Sequence, residues 1–405
     1  MVSNNGKHAD DIVIVGAART PQGKFGGQLQ PLSAVQLGTV AVKAAVERSG
    51  INPAEVDEVI LGQVVPAGSG LAVPRQVWLG GGYPDKVGGL AINKACGSGM
   101  KAVMLASNAI KAGDGNAYVA GGMESMSNAP YLDLSTRHGA RYGDVELRDS
   151  LIHDGLWCSL QNWAMGNAAE FIGNQLEVSR EEMDEFALAS QQKAVAATDS
   201  GKFKPEIVPV SVKGKKGETV IEQDEPIRRD TSLEALAALK PAFEKDGRVT
   251  AGNAPGLNDG AAAVIITRRD YAEQHGLTPL AKVVSYGQAA LHPQWLFYAP
   301  VKAIPAALDR AGWSMEDVDL FEINEAFAAQ VLADVRGLER EGHVLPMEKL
   351  NVNGGAIALG HPVGASGARV LITLIYALKD RGLKRGLASL CLGGAEAVAT
   401  AIEVE

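Results

Sequence analysis

The feature that most narrows what this chain can fold into is a repeat of its first third in its last. Arg48-Ser49-Gly50 followed by Val56-Asp57 returns as Arg310-Ala311-Gly312 followed by Val318-Asp319, at one constant displacement of 262 positions. Further along, Gly97-Ser98-Gly99 is echoed by Gly364-Ala365-Ser366-Gly367. Val119-Ala120-Gly121-Gly122-Met123-Glu124 is echoed by Cys391-Leu392-Gly393-Gly394-Ala395-Glu396. Ordered self-similarity marks a duplicated structural unit. The first copy reads as strands alternating with helices. Ile12 to Val15 is a buried-strand run, Ser33 to Arg48 a helix stopped by Gly50, and Val56 to Leu61 and Ala117 to Ala120 are strands. This alternation predicts α/β units with mostly parallel sheets. Two copies are expected to meet about a pseudo-twofold axis. Their loops then converge at the carboxyl ends of the strands, where ligands bind in such sheets.

Between the copies the composition changes. Residues 126–249 hold Arg137, His138, Arg141, Trp157, Trp163, a basic turn from Lys213 to Gly217 and one long helix, about Ser179 to Ser200. This stretch reads as an insertion that covers something. Thr250 to Gly260 then leads into Ala261 to Ile266, a strand expected to rejoin the first half's sheet. The organisation is therefore a first half (1–125 plus 250–275), an inserted loop domain (126–249) and a second half (276–405). A length of 405 residues is too great for one ordinary core.

Other features exclude function classes. The net charge of −9 argues against a general nucleic-acid surface, while leaving room for a local basic patch that meets a phosphorylated ligand. Three cysteines lie far apart, and no C-x-x-C or H-E-x-x-H spacing is present, so neither a disulfide framework nor a metal site is expected. The apolar run Val370 to Leu378 falls far short of the ~20 residues that span a bilayer. Met1 to Asp10 is polar, without the apolar stretch of a signal peptide. A soluble protein of the reducing cytoplasm, with no membrane partner, is expected.

One cysteine stands out. Leu90 and Ile92 lead through Asn93-Lys94-Ala95 to Cys96, and Gly97-Ser98-Gly99 opens an apolar helical stripe of Met100, Val103, Met104, Ser107 and Ile110, closed by Gly113. Cys96 is thus expected where a strand hands over to a helix. There the unpaired N–H groups and the helix dipole favour a thiolate. A rival reading takes Gly97 to Ala102 as a G-x-G-x-x-A dinucleotide loop, with Asp114 as the ribose acid. Against it, Asn93 and Lys94 interrupt what ought to be an apolar buried strand. The duplication brings Cys96 toward three loops of the second copy. These are Glu322 to Ala328, Asn351 to Gly364 (with His361), and Cys391 to Gly394.

Together these residues resemble the thiolase family. Asn93-x-x-Cys96-x-Ser98-Gly99, Asn324-Glu325-Ala326-Phe327-Ala328, Gly360-His361-Pro362 with Gly364-x-Ser366-Gly367, and Cys391-x-Gly393-Gly394 stand in family order. Gly121 to Ser127 and Thr250 to Ala254 are similar as well. The resemblance covers essentially the whole chain. It implies a five-layer α-β-α-β-α thiolase fold and acyl transfer between coenzyme A thioesters, as in fatty acid metabolism. That means condensation of two acetyl-CoA to acetoacetyl-CoA, or thiolysis of 3-ketoacyl-CoA.

The resemblance also implies the roles. Cys96 would be the nucleophile that forms an acyl-enzyme, and His361 would help take its proton. Cys391 would be the base for the Cα proton. Asn324, through an ordered water, and His361 would form one oxyanion hole. The N–H groups of Cys96 and Gly393 would form the other. Arg228 aligns with an arginine packed on the adenine of coenzyme A, and Leu156, Met165, Leu236, Ala254 and Phe327 with residues along the pantetheine tunnel. No metal or redox cofactor is implied, coenzyme A being substrate and product, and a homodimer or homotetramer is expected.

Three positions depart from the pattern. Ala164 stands where short-chain relatives often carry histidine. Pro255 replaces a serine. Ala395 takes the place of a third glycine, with Glu396 and Ala397 after it. The first two bear on acyl chain length. Cys158 matches no catalytic motif and reads as structural. A broader-range degradative thiolase and an inactive acyl-CoA-binding scaffold are the alternatives. A ketoacyl synthase would need a second histidine where Asn324 stands.

Overall fold

The computed structural model describes residues 8–214 and 217–405. Met1 to Lys7 of the polar leading stretch, and Lys215-Lys216 within the basic turn, lie outside the described residues.

The duplication is visible in the strand order. In the first half, β1 (Ile12–Arg19), β2 (Glu58–Gly62), β3 (Gly88–Ile92), β4 (Ala117–Ser125) and β5 (Asn258–Arg268) lie side by side as β3-β2-β4-β5-β1. The second half has β6 (Ala281–Ala290), β7 (Leu320–Ile323), β8 (Arg385–Leu392) and β9 (Glu396–Val404) in the order β7-β8-β9-β6. Leu350 adds a single parallel bridge to Phe321 where a counterpart of β3 would stand. The two first strands, β1 and β6, pair antiparallel at Val13–Lys282 and Ile14–Ala281, which joins the halves.

The sheets are mixed rather than mostly parallel. β2 pairs parallel with β3 and β4, and β7 with β8. The pairs β4–β5, β5–β1, β8–β9 and β9–β6 are antiparallel. For β8 and β9 the reason is the connection. Only the Gly393-Gly394-Ala395 turn separates β8 from β9, and a parallel neighbour needs a crossover of a dozen or more residues.

Helices complete the five layers. α1 (Ala34–Ser49) and α2 (Val73–Gly80) cover the outer face of the first sheet, around Val13, Val15, Val59 and Ile265. α1 starts at a Ser33 capping box and ends at Gly50 in the left-handed conformation, as the sequence signals predict. α3 (Ser98–Ala112) lies in the central layer. The insertion supplies α4 (Met165–Gln175) and α5 (Arg180–Asp199), the latter between Ser179 and Ser200. α6 (Pro300–Ala311) and α7 (Ala328–Arg340) cover the outer face of the second sheet, around Phe321, Leu387 and Ala399.

α8 (Val363–Arg381) lies against α3, and the two share one core with strands of both halves: Met100, Val103, Leu371 and Ile375 with Ile14, Val264, Leu390 and Val398. Burying a side chain of this kind contributes roughly 1.5–3 kcal/mol, so this shared core is what binds the halves together.

Candidate active site

Cys96 lies between β3 and α3, where the sequence places it. Its turn is held by the residues of its own motif. Asn93 Oδ1 accepts the Ala95 N–H (3.0 Å) and Asn93 Nδ2 donates to the Val64 carbonyl (3.1 Å). Ser98 Oγ accepts the Lys94 N–H (2.8 Å) and donates to the Ala95 carbonyl (2.7 Å). These bonds hold Ala95 at a φ of 45°, a left-handed conformation that a residue with a Cβ adopts only when its surroundings enforce it.

The glycines after Cys96 serve packing rather than phosphate binding. A side chain on Gly97 would collide with Leu392, and a Cβ on Gly99 would stand 2.7 Å from the Ala368 nitrogen of α8. That disposes of the dinucleotide reading.

His361 comes from the second half. The short helix Ala356–Leu359 ends at Gly360, whose φ is 108°. A Cβ there would lie 2.6 Å from the Asn258 side-chain carbon, so only glycine fits. Asn258, at the start of β5, accepts the His361 N–H (2.8 Å). His361 Nδ1 lies 2.6 Å from Ser366 Oγ, and that hydroxyl donates to the Pro362 carbonyl (2.9 Å). Ser366 has one proton and has given it away, so Nδ1 must be the donor. The network thereby assigns the tautomer, and Nε2 is left as the acceptor nitrogen of the ring. Asn324, buried at the end of β7, holds its Nδ2 at 3.5 Å from that Nε2, while Arg369 Nη2 lies 3.5 Å from its Oδ1.

Cys391 is buried near the end of β8, with Gly393 two residues on. A largely apolar cavity of about 270 Å³ joins the groups. Cys96, His361, Cys391 and Gly393 line it, together with Leu156, Met165, Ala254 and Phe327. Much of the remaining wall comes from the insertion, at Ile152, Gly166 and Phe243, so the inserted region does cover something. The departures Ala164 and Pro255 face the same space.

Two binding candidates stand apart from this cavity wall. Leu236 is buried in the cluster that contains Ala254 and Phe327. Arg228 is half-buried, with both terminal nitrogens 3.1 Å from the Ala251 carbonyl. Asn324 also lies outside the wall.

The electrostatics correct one expectation. The Cys96 thiol is not eased toward the thiolate. Burial, reinforced by the Glu124 carboxylate, pushes it up to about 12, against the favourable backbone hydrogen bond. Burial, with Arg369 nearby, pushes His361 down to about 3. Burial and the neighbouring Cys96 sulfur raise Cys391 well above the ordinary thiol value. These shifts favour a neutral thiol, a neutral imidazole and a second neutral thiol against a largely apolar lining. Desolvation outweighs the helix N-terminus because that dipole amounts to only about half a charge.

Sequence reasoning missed the supports of these groups. Ser366 and Asn258 orient His361. Glu124 accepts N–H groups from Val64, Val65 and Gly364 (2.9, 3.1 and 2.9 Å), which ties the first half to the start of α8. The echo of Glu124 in Glu396, and the serine inside Gly364-x-Ser366-Gly367, were the available signals.

Family models for the thiolase N-terminal domain and the thiolase C-terminal domain match residues 12–270 and 277–404. The chain belongs to the thiolase family. It is 51% identical to an acetyl-CoA acetyltransferase of Cupriavidus necator over 394 residues, 97% of this chain and 99% of the relative. An Escherichia coli K12 acetyl-CoA acetyltransferase is 49% identical, over 97% of this chain and 99% of its own length. A crystal structure of Bacillus anthracis acetyl-CoA acetyltransferase superposes with a TM-score of 0.95 at 44% identity, covering 98% of this chain and 99% of that one. The thiolase fold is therefore established, with its large mixed sheet.

Proposed function

We propose that this thiolase is an acetyl-CoA acetyltransferase that condenses two acetyl-CoA to acetoacetyl-CoA and coenzyme A, reversibly. The observation that carries the reading is one largely apolar cavity lined by Cys96, His361 and Cys391, drawn from both halves of the duplication. Near 50% identity to acetyl-CoA acetyltransferases along almost the whole chain supports it.

The first step is attack of Cys96 Sγ on the acetyl carbonyl as its proton passes to His361 Nε2, the ring nitrogen that the Ser366 bond leaves unprotonated. The N–H groups of Cys96 and Gly393 receive the developing oxyanion. The C–S bond to coenzyme A breaks, and Cys391 gives its proton to the departing sulfur. Cys391, now a thiolate whose raised proton affinity makes it a strong base, removes a Cα proton from the second acetyl-CoA. His361, now protonated, points an Nε2–H at the enolate oxygen, beside the Asn324 amide. Asn324 helps through an ordered water, as the resemblance to thiolases implies, with its Nδ2 3.5 Å from His361 Nε2.

The carbanion attacks the acetyl group on Cys96. The Cys96 sulfur leaves and recovers its proton from His361, while Cys391 keeps the Cα proton, so every proton is accounted for. Two thiols, one imidazole and backbone N–H groups complete this chemistry, so coenzyme A enters as substrate and no metal or redox cofactor is assigned.

Coenzyme A is placed along Leu156, Met165, Ala254 and Phe327, with Leu236 supporting the wall and Arg228 at the adenine. The exposed edge strand β3, with Leu90 41% exposed, supports a homodimer or homotetramer. The cysteines Cys96, Cys158 and Cys391 are all unpaired, which suits a reducing compartment such as the cytoplasm. No helix among the described residues is long and apolar enough to cross a membrane.

Intact mass after incubation with acetyl-CoA tests the reading. Wild type gains one acetyl group, Cys96→Ser gains none, and Cys391→Ser gains one yet makes no acetoacetyl-CoA. Acetylation of Cys96→Ser, or condensation by Cys391→Ser at the wild-type rate, contradicts the assignment.

A further inference from the structure

Glu396 takes no part in the chemistry above, and Lys94 sits two residues before the nucleophile. The structure joins them across the two halves, with Lys94 Nζ 2.7 Å from Glu396 Oε1. Each belongs to, or immediately follows, a turn that presents one N–H of the same oxyanion hole: Lys94–Gly97 for Cys96 and Leu392–Ala395 for Gly393. The turns lie against each other. A Cβ on Gly393 would stand 3.6 Å from the Ala95 Cβ, and Gly97 backs onto the Leu392 side chain.

Both turns hold an alanine in the left-handed region, Ala95 at a φ of 45° and Ala395 at 62°. Such conformations persist only where the surroundings fix them. The bonds that fix the second turn, Gly394 N–H to the Leu392 carbonyl (2.7 Å) and Leu291 N–H to the Ala395 carbonyl (2.8 Å), stay within the second half. Asn93 and Ser98 fix the first turn from within the first half. Among the described residues, Lys94–Glu396 is the side-chain hydrogen bond that connects one turn to the other.

We propose that Lys94 and Glu396 are a positioning pair that sets the spacing between the Cys96 and Gly393 N–H groups. The proposal rests on the acyl-enzyme reading of this site. An oxyanion hole built from two halves works only if both donors converge on one oxygen, and that oxygen carries charge only in the tetrahedral state. Loss of the pair therefore lowers kcat and leaves substrate affinity almost unchanged. Both side chains are partly exposed, 22% for Lys94 and 37% for Glu396, so the pair contributes little to global stability.

The test uses Lys94→Met, Glu396→Leu and the exchanged pair Lys94→Glu with Glu396→Lys. Each single change is expected to lower kcat for acetoacetyl-CoA thiolysis about tenfold, the scale of a small misplacement at a reacting centre. The KM values stay within about twofold, and Tm moves by no more than about 2–4 °C. The exchanged pair regains kcat to within about threefold of wild type, because the link is remade. Singles that keep wild-type kcat, or an exchanged pair no better than the worse single, overturn the proposal. The rate of acetyl loading on Cys96 by intact mass separates the pair's role from the acyl-enzyme itself. Wild type that does not load brings down the acyl-enzyme reading. Wild type and singles loading at equal rates bring down only the positioning pair.

Discussion

At the residue scale the site works by withholding charge. Burial drives Cys96 up to about 12 and His361 down to about 3, so both shifts favour the uncharged pair over thiolate and imidazolium. The sign fixes an observable. Alkylation of Cys96 by iodoacetamide, in the absence of substrate, is expected to rise with pH through about pH 9 without levelling. A plateau near neutrality would mean that the ion pair already exists at rest. Ser366 supplies a second observable. It accepts the Nδ1 proton of His361 at 2.6 Å, so Ser366→Ala leaves a buried N–H without a partner and frees the ring to adopt the wrong tautomer. A loss of about ten- to a hundredfold in kcat/KM is expected, the rate equivalent of one such orphaned group. An unchanged kcat/KM would show that the hydroxyl does not hold the ring. Cys96, His361 and Cys391 were legible in the sequence because each carries chemistry in its own side chain. Ser366 was legible only as part of a glycine-rich motif, and Asn258 not at all. The partner of Asn258, His361, lies 103 positions away, and no local pattern announces such a pairing.

At the element scale, the site depends on how closely α3 and α8 approach. Gly99 and Gly367 face the opposite helix. A Cβ on Gly99 would stand 2.7 Å from the Ala368 nitrogen, and one on Gly367 would collide with the Met100 nitrogen. Cys96 stands two residues before α3 and His361 two residues before α8, so the separation of the two helices sets the separation of the two groups. Gly367→Ala improves helix propensity by up to about 1 kcal/mol. Overpacking against backbone costs about 1–3 kcal/mol, and the backbone nitrogen cannot rotate away. The net expectation is lower stability in urea unfolding together with a lower kcat. A stabilised variant of normal activity would sink this account of the helix contact. The caps of α1, α3 and α5 could be read in advance, since Ser33, Gly50, Gly113 and Ser179 are local signals. The sheets' mixed direction could not. Between β8 and β9 it arises from the turn at Gly393 to Ala395, whose brevity forces β9 to run back along β8, whereas β4 and β5 are joined through the whole insertion and carry no such local cause. α4 was missed because its two glycines and the absence of a side-chain cap at Ala164 leave little local signal.

At the scale of the whole molecule, the duplication is imperfect at one edge. The order β3-β2-β4-β5-β1 recurs in the second half, except that the counterpart of β3 is reduced to one bridge at Leu350, a residue that is 1% exposed. The first half keeps a full edge strand, and at its middle Leu90 is 41% exposed with Ala91 exposed beside it. An unpaired row of N–H and C=O groups bearing apolar side chains is a template for pairing with another strand. A second copy laid antiparallel along β3 would pair the strand with itself and close a symmetric dimer. The nucleophile turn begins at Asn93, the residue after β3, so docking at that edge would also steady Cys96. Leu90→Lys puts a charge into the edge without touching the core. Light scattering is expected to show wild type as a dimer or tetramer at micromolar concentration, and Leu90→Lys shifted toward monomer. Because the turn then loses its outer support, kcat falls with the shift and returns as protein concentration is raised. Wild type found as a monomer, or Leu90→Lys assembling as wild type does, would place the interface elsewhere and leave the exposed edge without an explanation.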